Sequence, residues 1–292
     1  MMAGDPSITN LMGMARTAML GGNNQEALSY FNRVLEIEPS FSEAWIGKGK
    51  AAGWQSSLVN FRLQEAAIAF NHAIASAEPD QRAAVIADVV SEMNIIIVAL
   101  YGIARDHMIE YVSLANSWLD YLGHVSQLID ALETTRGWDP ENVDTLENIV
   151  HLCKDNIEGY SYRDQFNNNA PSAHGITSSY ESFLRERMEQ AVAVLQSRDP
   201  NYAAPVVQKK TADACFIVTA TMGDFEHPDV VLLRRFRDKW IRNRPFGDMF
   251  VAGYYRVGPY LAGAIERSDR LKRVCYLLIV RPATIFARRK MR

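Results

Sequence analysis

Along residues 11–39, LMGMARTAMLGGNNQEALSYFNRVLEIEP, Leu11 and Ala15 precede a Gly21-Gly22-Asn23-Asn24 break, and Ala27 and Phe31 follow it before Pro39. Apolar positions three and four apart mark an amphipathic helix, so the stretch predicts two helices joined by a tight turn. Glycine and asparagine tolerate the left-handed backbone such a turn requires, and Pro39 stops the second helix. The next unit repeats the arrangement. Trp45 and Gly49 lie in EAWIGKGKAA, then Ala66, Phe70 and Ala73 in EAAIAFNHAI, closed by Pro79.

These positions, Ala27, Phe31, Trp45, Gly49, Ala66 and Phe70 among them, resemble the tetratricopeptide repeat family over residues 5–80. Small residues let the paired helices approach and the phenylalanine fills the groove between them. Trp45 and Ala66 stand 21 residues apart, against about 16 in the family pattern, which places an insertion in GWQSSLVNFRL. The resemblance implies a concave face that holds a protein or peptide partner. Two clear repeats fall short of the roughly three a stable stack needs, so divergent helices over 81–199 are expected to complete an array spanning 1–199. AAVIADVVSEMNIIIVALYGIA is apolar on more than one face and reads as a buried helix. Asp139-Pro140-Glu141 reads as the opening of a helix through Cys153, NNNAPSAHG (167–175) as a loop, and SSYESFLRERMEQAVAVLQ as a further amphipathic helix.

Residues 200–213 have no helical period and read as a linker to a module over 214–292. In CFIVTATMGD, Phe216, Val218 and Ala220 alternate with Ile217, Thr219 and Thr221; period two with β-branching predicts a short extended segment, ended by a turn at Gly223. Pro228 opens a helix with Leu232, Phe236 and Trp240 on an apolar stripe and Arg235, Lys239 and Arg242 on another face. Phe250, Tyr254 and Val257 share a face of the following helix, which Gly258-Pro259 is expected to break or kink. Leu261, Ile265, Ser268, Cys275 and Leu278 mark the seam of a second helix that Pro282 limits, and the basic tail ARRKMR reads as loose.

The order Cys215-Phe216-Ile217, Thr219-Ala220, Gly223, Leu233-Arg234, Phe236-Arg237-Asp238, Tyr254-Tyr255 and Gly258-Pro259 resembles the bacterial CFI-box C-terminal domain over about residues 213–283. It departs at Val218, at Thr221-Met222 and at Gly258. That family is a small terminal module attached to varied proteins, and the resemblance implies no settled activity. Together the two parts predict an all-α chain: a helical array, then a mostly helical module with one short extended segment.

Charge sharpens the division. The 292 residues carry a net charge of −3, yet from Pro205 onward 18 Lys and Arg face 8 Asp and Glu, leaving 13 against 26 before it. Halves of opposite sign suit different partners, or one half docking on the other. Arg235, Lys239, Arg242, Arg267, Arg270, Lys272 and Arg273 are the candidate partner-binding residues of the basic module. An acidic protein or a second copy fits them first and an anionic membrane surface next. Nucleic acid fits least, because the aromatic residues fall on apolar seams.

Three cysteines, Cys153, Cys215 and Cys275, have no CxxC and no regular spacing, which excludes a disulfide framework or zinc ribbon and fits a reducing compartment. The N-terminus lacks the basic region and apolar core of a signal peptide. The longest apolar run, Ile95–Tyr101, is short of the roughly 18–20 residues of a membrane span. A cytoplasmic location follows as the expectation. Cys215 is the candidate nucleophile, with Asp224 and His227 near it in sequence, but no second signature of a cysteine hydrolase accompanies it, and a lone cysteine more often packs as a small hydrophobe. No metal-ligand set and no cofactor motif is present. The chain reads as a non-enzymatic cytoplasmic adaptor or scaffold; a thiol-dependent enzyme or covalently modified protein centred on Cys215 is the alternative.

Overall fold

The glycine break between the first two helices takes the conformation its composition demands. In this computed structural model, which describes residues 6–166, 170–210, 216–223 and 227–291, α1 (Pro6–Leu20) and α2 (Asn24–Ile37) flank Gly22 at φ 74°. Asn23 caps α2: its side chain accepts from the Glu26 N–H and donates to the Glu26 carboxylate at 2.8 Å, so both ends of the cap are hydrogen-bonded. Contacts between Cα atoms divide the chain into two units, Met1–Gly159 with Gly175–Lys209, and Tyr160–His174 with Lys210–Arg292.

In the first unit α3 (Ser42–Gly53) lies between α2 and α4 (Leu63–Ser76). Its glycines let it do so. A Cβ on Gly47 would stand 2.1 Å from the Phe31 ring, one on Gly49 2.4 Å from the Phe70 ring, and one on Gly53 2.5 Å from Ile96. Phe31 and Phe70 are accordingly almost wholly buried. The residues between Trp45 and Ala66 that exceed the expected spacing form the α3–α4 turn. There Ser57 and Asn60 exchange backbone hydrogen bonds of 3.0 and 2.9 Å, and Arg62 bonds to Gln55 at 2.7 Å and to Glu65 at 2.7 Å.

Four longer helices complete this unit: α5 (Arg82–Glu110), α6 (Ser117–Trp138), α7 (Val143–Glu158) and α8 (Ser178–Arg198). By length and composition alone α5 could cross a membrane, since it contains an 18-residue window of mean hydropathy 2.0. That exceeds what the short Ile95–Tyr101 run indicates, because the interspersed alanines, valines and isoleucines keep the average high. Val89, Val90, Met93, Ile96, Ile97 and Leu100 on one face are buried, and α5 packs with α3, α4, α6 and α7. A polar lock joins α5 to α7: Asn94 donates to Thr145 Oγ1 at 2.8 Å and accepts from Asn148 at 2.8 Å. Helix α7 starts later than Asp139-Pro140 suggests, because Asn142 supplies the cap to the Thr145 N–H at 3.0 Å.

The second unit corrects several expectations. Part of the segment read as a loop is a strand: β1 (Tyr160–Asp164) pairs antiparallel with β2 (Ala170–His174), Tyr160 opposite His174. Five-residue strands are too brief for alternation to announce them. The strip read as extended is a helix, α9 (Phe216–Met222), with Phe216, Ile217, Val218, Ala220 and Thr221 buried. Packing on several sides overrides the β-preference of its branched residues.

Next come α10 (Pro228–Phe236), a π-helical turn (Arg237–Ile241), and α11 (Gly247–Glu266). Helix α11 runs through Gly258-Pro259 without a break. Gly258 serves instead as a seat for α9, since a Cβ there would meet the Phe216 ring at 2.8 Å. Phe250 and Val257, expected on an apolar face, are exposed. Ser268 is the N-cap of α12 (Asp269–Cys275) rather than part of a seam; Leu261 and Leu278 are also exposed. Helix α12 continues through a second π-helical turn (Tyr276–Val280) into α13 (Arg281–Lys290). Proline has no N–H to bond one turn back and crowds the carbonyl there. The wider turn before Pro282, with the Arg281 N–H on Tyr276 O, accommodates it. The tail is therefore helical to Lys290 rather than loose, with Phe286 set edge-on against Phe236 and Trp240 at 5.8 and 5.7 Å.

Gly49→Ala is expected to destabilise the first unit by about 1–3 kcal/mol, because the Phe70 ring must move. Gly102→Ala, with nothing within 4 Å of its added Cβ, is expected to be neutral or to stabilise by about 0.5–1 kcal/mol. Urea denaturation followed by circular dichroism separates the two.

Candidate functional site

In the first unit the α1/α2 pair carries an open cleft of about 1060 Å³. Asn10, Gly13, Met14 and Thr17 line it from α1 at helical spacing, Gly21 and Asn23 from the turn, and Glu26 and Tyr30 from α2. Met14 and Ala18 give it apolar lining, and Asn10, Thr17, Asn23, Glu26 and Tyr30 polar groups. Tyr30 donates to Glu26 at 3.0 Å, and that hydrogen bond to a carboxylate holds the phenol above its ordinary pKa. Gly13 adds no side chain and nothing lies within 4 Å of its Cβ position, so the centre of the α1 face is open to an incoming group. Along α1 the cleft runs about 16 Å at 1.5 Å per residue, the length of roughly three helical turns of a bound segment. Sequence spacing pointed to Ala27 and Phe31, which are buried. It missed the cleft residues, whose only sign was a polar and small face opposite the core.

Of the other array positions, Ala66 and Phe70 are core and Gly49 seats Phe70. Trp45 is half-buried, stacked on His72 at 4.4 Å and donating to Pro39 O at 2.7 Å. A second polar group lies inside the unit. Tyr101 donates to Asp155 at 3.0 Å, Arg105 pairs with the same carboxylate at 3.0 Å, and Tyr121 donates to Tyr101 at 3.2 Å. Burial foremost pushes the pKa of both tyrosines up, which keeps them neutral donors in a network that joins α5, α6 and α7. The residues read as a linker are tied to this unit: the Gln208 N–H donates to Glu158 at 3.0 Å and Lys209 pairs with Glu181 at 2.5 Å. Lys209 first, then Arg185, holds the Glu181 carboxyl below its usual range. That tether is present at neutral pH and is lost only as pH falls through the lowered value.

In the second unit Cys215 and Asp224 lie outside the described residues, as does the side chain of Tyr255 on α11. His227 is described, and it is the N-cap of α10, its Nδ1 accepting from the Asp229 N–H at 3.2 Å. Gly223, at φ 72°, ends α9, and half-buried Thr219 lies on it. Tyr254 stacks obliquely on Phe216 at 5.9 Å and its hydroxyl accepts from the Ile217 N–H at 3.1 Å, fastening the first turn of α9 to α11. Phe236 stacks on Trp240 at 5.0 Å inside the module core.

The candidate cations fall in two groups. Arg235 on α10, Lys239 on the first π turn and Arg242 just past it are all exposed. Arg267, Arg270, Lys272 and Arg273 cluster at the α11–α12 junction, where Lys272 pairs with Asp269 at 3.2 Å. The sequence reading leaves out Arg281, Arg288, Arg289 and Lys290, which extend the basic residues along α13. Among the described residues no group of three or more His, Cys, Asp or Glu could hold a metal ion.

No family model and no curated protein matches the chain. Among solved structures, one titled "MamA RS-1 ArsTM double mutant" aligns with 68% of this chain and 100% of its own length at 13% identity and a TM-score of 0.24. A superposition of that quality carries no inference about architecture or activity.

Cys153 is buried in the first unit and burial pushes its thiol up to about 12, whereas Cys275 is partly accessible. Iodoacetamide applied to the native chain at neutral pH should label Cys275 and leave Cys153 unmodified until denaturant unfolds the first unit. Mass spectrometry of the digested protein reads both sites.

Proposed function

We propose that the chain is a non-enzymatic adaptor. The first unit takes a peptide or helix of a protein partner in the α1/α2 cleft, and the basic second unit makes a separate contact. The observation that carries this reading is the open cleft, lined by apolar Met14 and Ala18, by hydrogen-bonding Thr17, Glu26 and Tyr30, and by an uncovered glycine, Gly13. A partner helix placed there buries aliphatic side chains on Met14 and Ala18 while its polar groups meet Thr17, Glu26 and Tyr30. The tetratricopeptide-like spacing over residues 5–80 and the CFI-box-like order over 213–283 support the same division of labour. The unpaired thiols Cys153 and Cys275 suit a cytoplasmic setting.

Gly13→Gln fills the cleft from an open surface position without touching the core. The immobilised variant is expected to lose, by about tenfold or more, the proteins that the unaltered chain retains from extract, at an unchanged melting temperature. Equal retention by both proteins removes the cleft from the reading.

A further inference from the structure

We propose that the continuous helical segment Asp269–Lys290 lies on an anionic lipid surface. Its aliphatic row would enter the headgroup boundary while its arginines meet lipid phosphates. This deepens the second-contact half of the adaptor reading and rests on it for the second unit only. The segment is unbroken through α12, the π-helical turn and α13, about 33 Å at 1.5 Å per residue. Its inward residues Val280, Thr284 and Ala287 are buried, and Cys275 packs against the separate cluster of Phe216, Ile217, Ala220, Ala262 and Ile265. The outward ones are not: Leu271, Val274, Leu277, Leu278, Ile279 and Ile285 are 43–73% exposed.

Composition identifies what covers this face. From Arg270 to Lys290 every exposed position is aliphatic, aromatic, proline or basic. Over Asp269–Lys290 seven Lys and Arg stand against Asp269 alone. Arg270, Arg273, Arg281 and Arg289 are exposed and hold no ion pair among the described residues, whereas Arg288 pairs with Asp229 at 3.0 Å. A second copy apposed on the same face would bring like charges together. A specific protein partner is held in register by amides, hydroxyls and carboxylates, and of these the exposed positions from Arg270 to Lys290 offer the Tyr276 hydroxyl alone.

Arg281 near mid-segment makes spanning the bilayer costly. Lying flat, the aliphatic side chains enter the boundary and the long arginine stems reach back to phosphates. Net positive charge with unpaired arginines is the complement of an anionic leaflet.

Flotation of the full chain with vesicles tests this. One set is phosphatidylcholine alone, the other phosphatidylcholine with about one-third phosphatidylserine. Binding is expected to be on the order of tenfold tighter to the anionic set and to weaken with added salt. Arg273→Glu with Arg281→Glu, and separately Leu277→Ser with Leu278→Ser, should each reduce it about tenfold. All four side chains are exposed, so circular dichroism should be unchanged.

Absence of binding to either vesicle set overturns the proposal, and so does binding that neither pair of substitutions alters. Self-association in lipid-free sedimentation that these substitutions abolish would assign the face to a second copy and overturn it as well. No protein partner is present in the flotation, so its outcome is independent of the Gly13→Gln experiment.

Discussion

Two phenylalanine rings seated on two glycines of one helix set the spacing of the array. Phe31 from α2 occupies the space a side chain at Gly47 would take, and Phe70 from α4 occupies that at Gly49. Both neighbours can therefore lie close against α3, and each ring gives up nearly all its water-accessible surface. Burying a side chain of that size contributes about 2–3 kcal/mol, and truncating it to alanine costs about 3–5 kcal/mol. A glycine likewise makes room for the Ile96 side chain at Gly53, and in the second unit for the Phe216 ring at Gly258. Because α2 is committed to α3 through Phe31, its opposite face stays uncovered, and with α1 it forms the cleft.

The sequence disclosed this first part because its signals were local. Gly21-Gly22-Asn23 could only be a turn, and small residues three and four apart could only be a close helix contact. Phe31 and Phe70 recurred at equivalent points of two units. The cleft was less legible, since Asn10, Gly13 and Thr17 differ little from any solvated helix face until α2 is laid beside them. The length and burial of α5 depended on four neighbouring helices, none of which its own residues name.

The second unit was harder to read for the same reason turned round. Phe216, Val218 and Ala220 alternate as a strand does, but contacts with α11 and with the second π-helical turn fold them into a helix. Gly258-Pro259 and Pro282 looked like stops. One lies within a continuous helix and the other follows a widened turn that absorbs the missing N–H. Reading Pro282 as a limit also makes the six-residue tail ARRKMR look loose. Arg281, Arg288, Arg289 and Lys290, four cations of the basic surface, go unassigned. The candidate chemistry was legible only in part: His227 is occupied as a helix cap, and its thiol neighbour in sequence falls outside the described residues.

A double-mutant cycle across the Gly49–Phe70 contact measures the central interaction directly. Gly49→Ala and Phe70→Leu are each expected to destabilise the first unit. Because the smaller side chain makes room for the added methyl, the double variant should be more stable than the sum of the two by about 1 kcal/mol or more. Strict additivity would contradict the seating of the ring on the glycine, and with it the helix spacing from which the cleft is built.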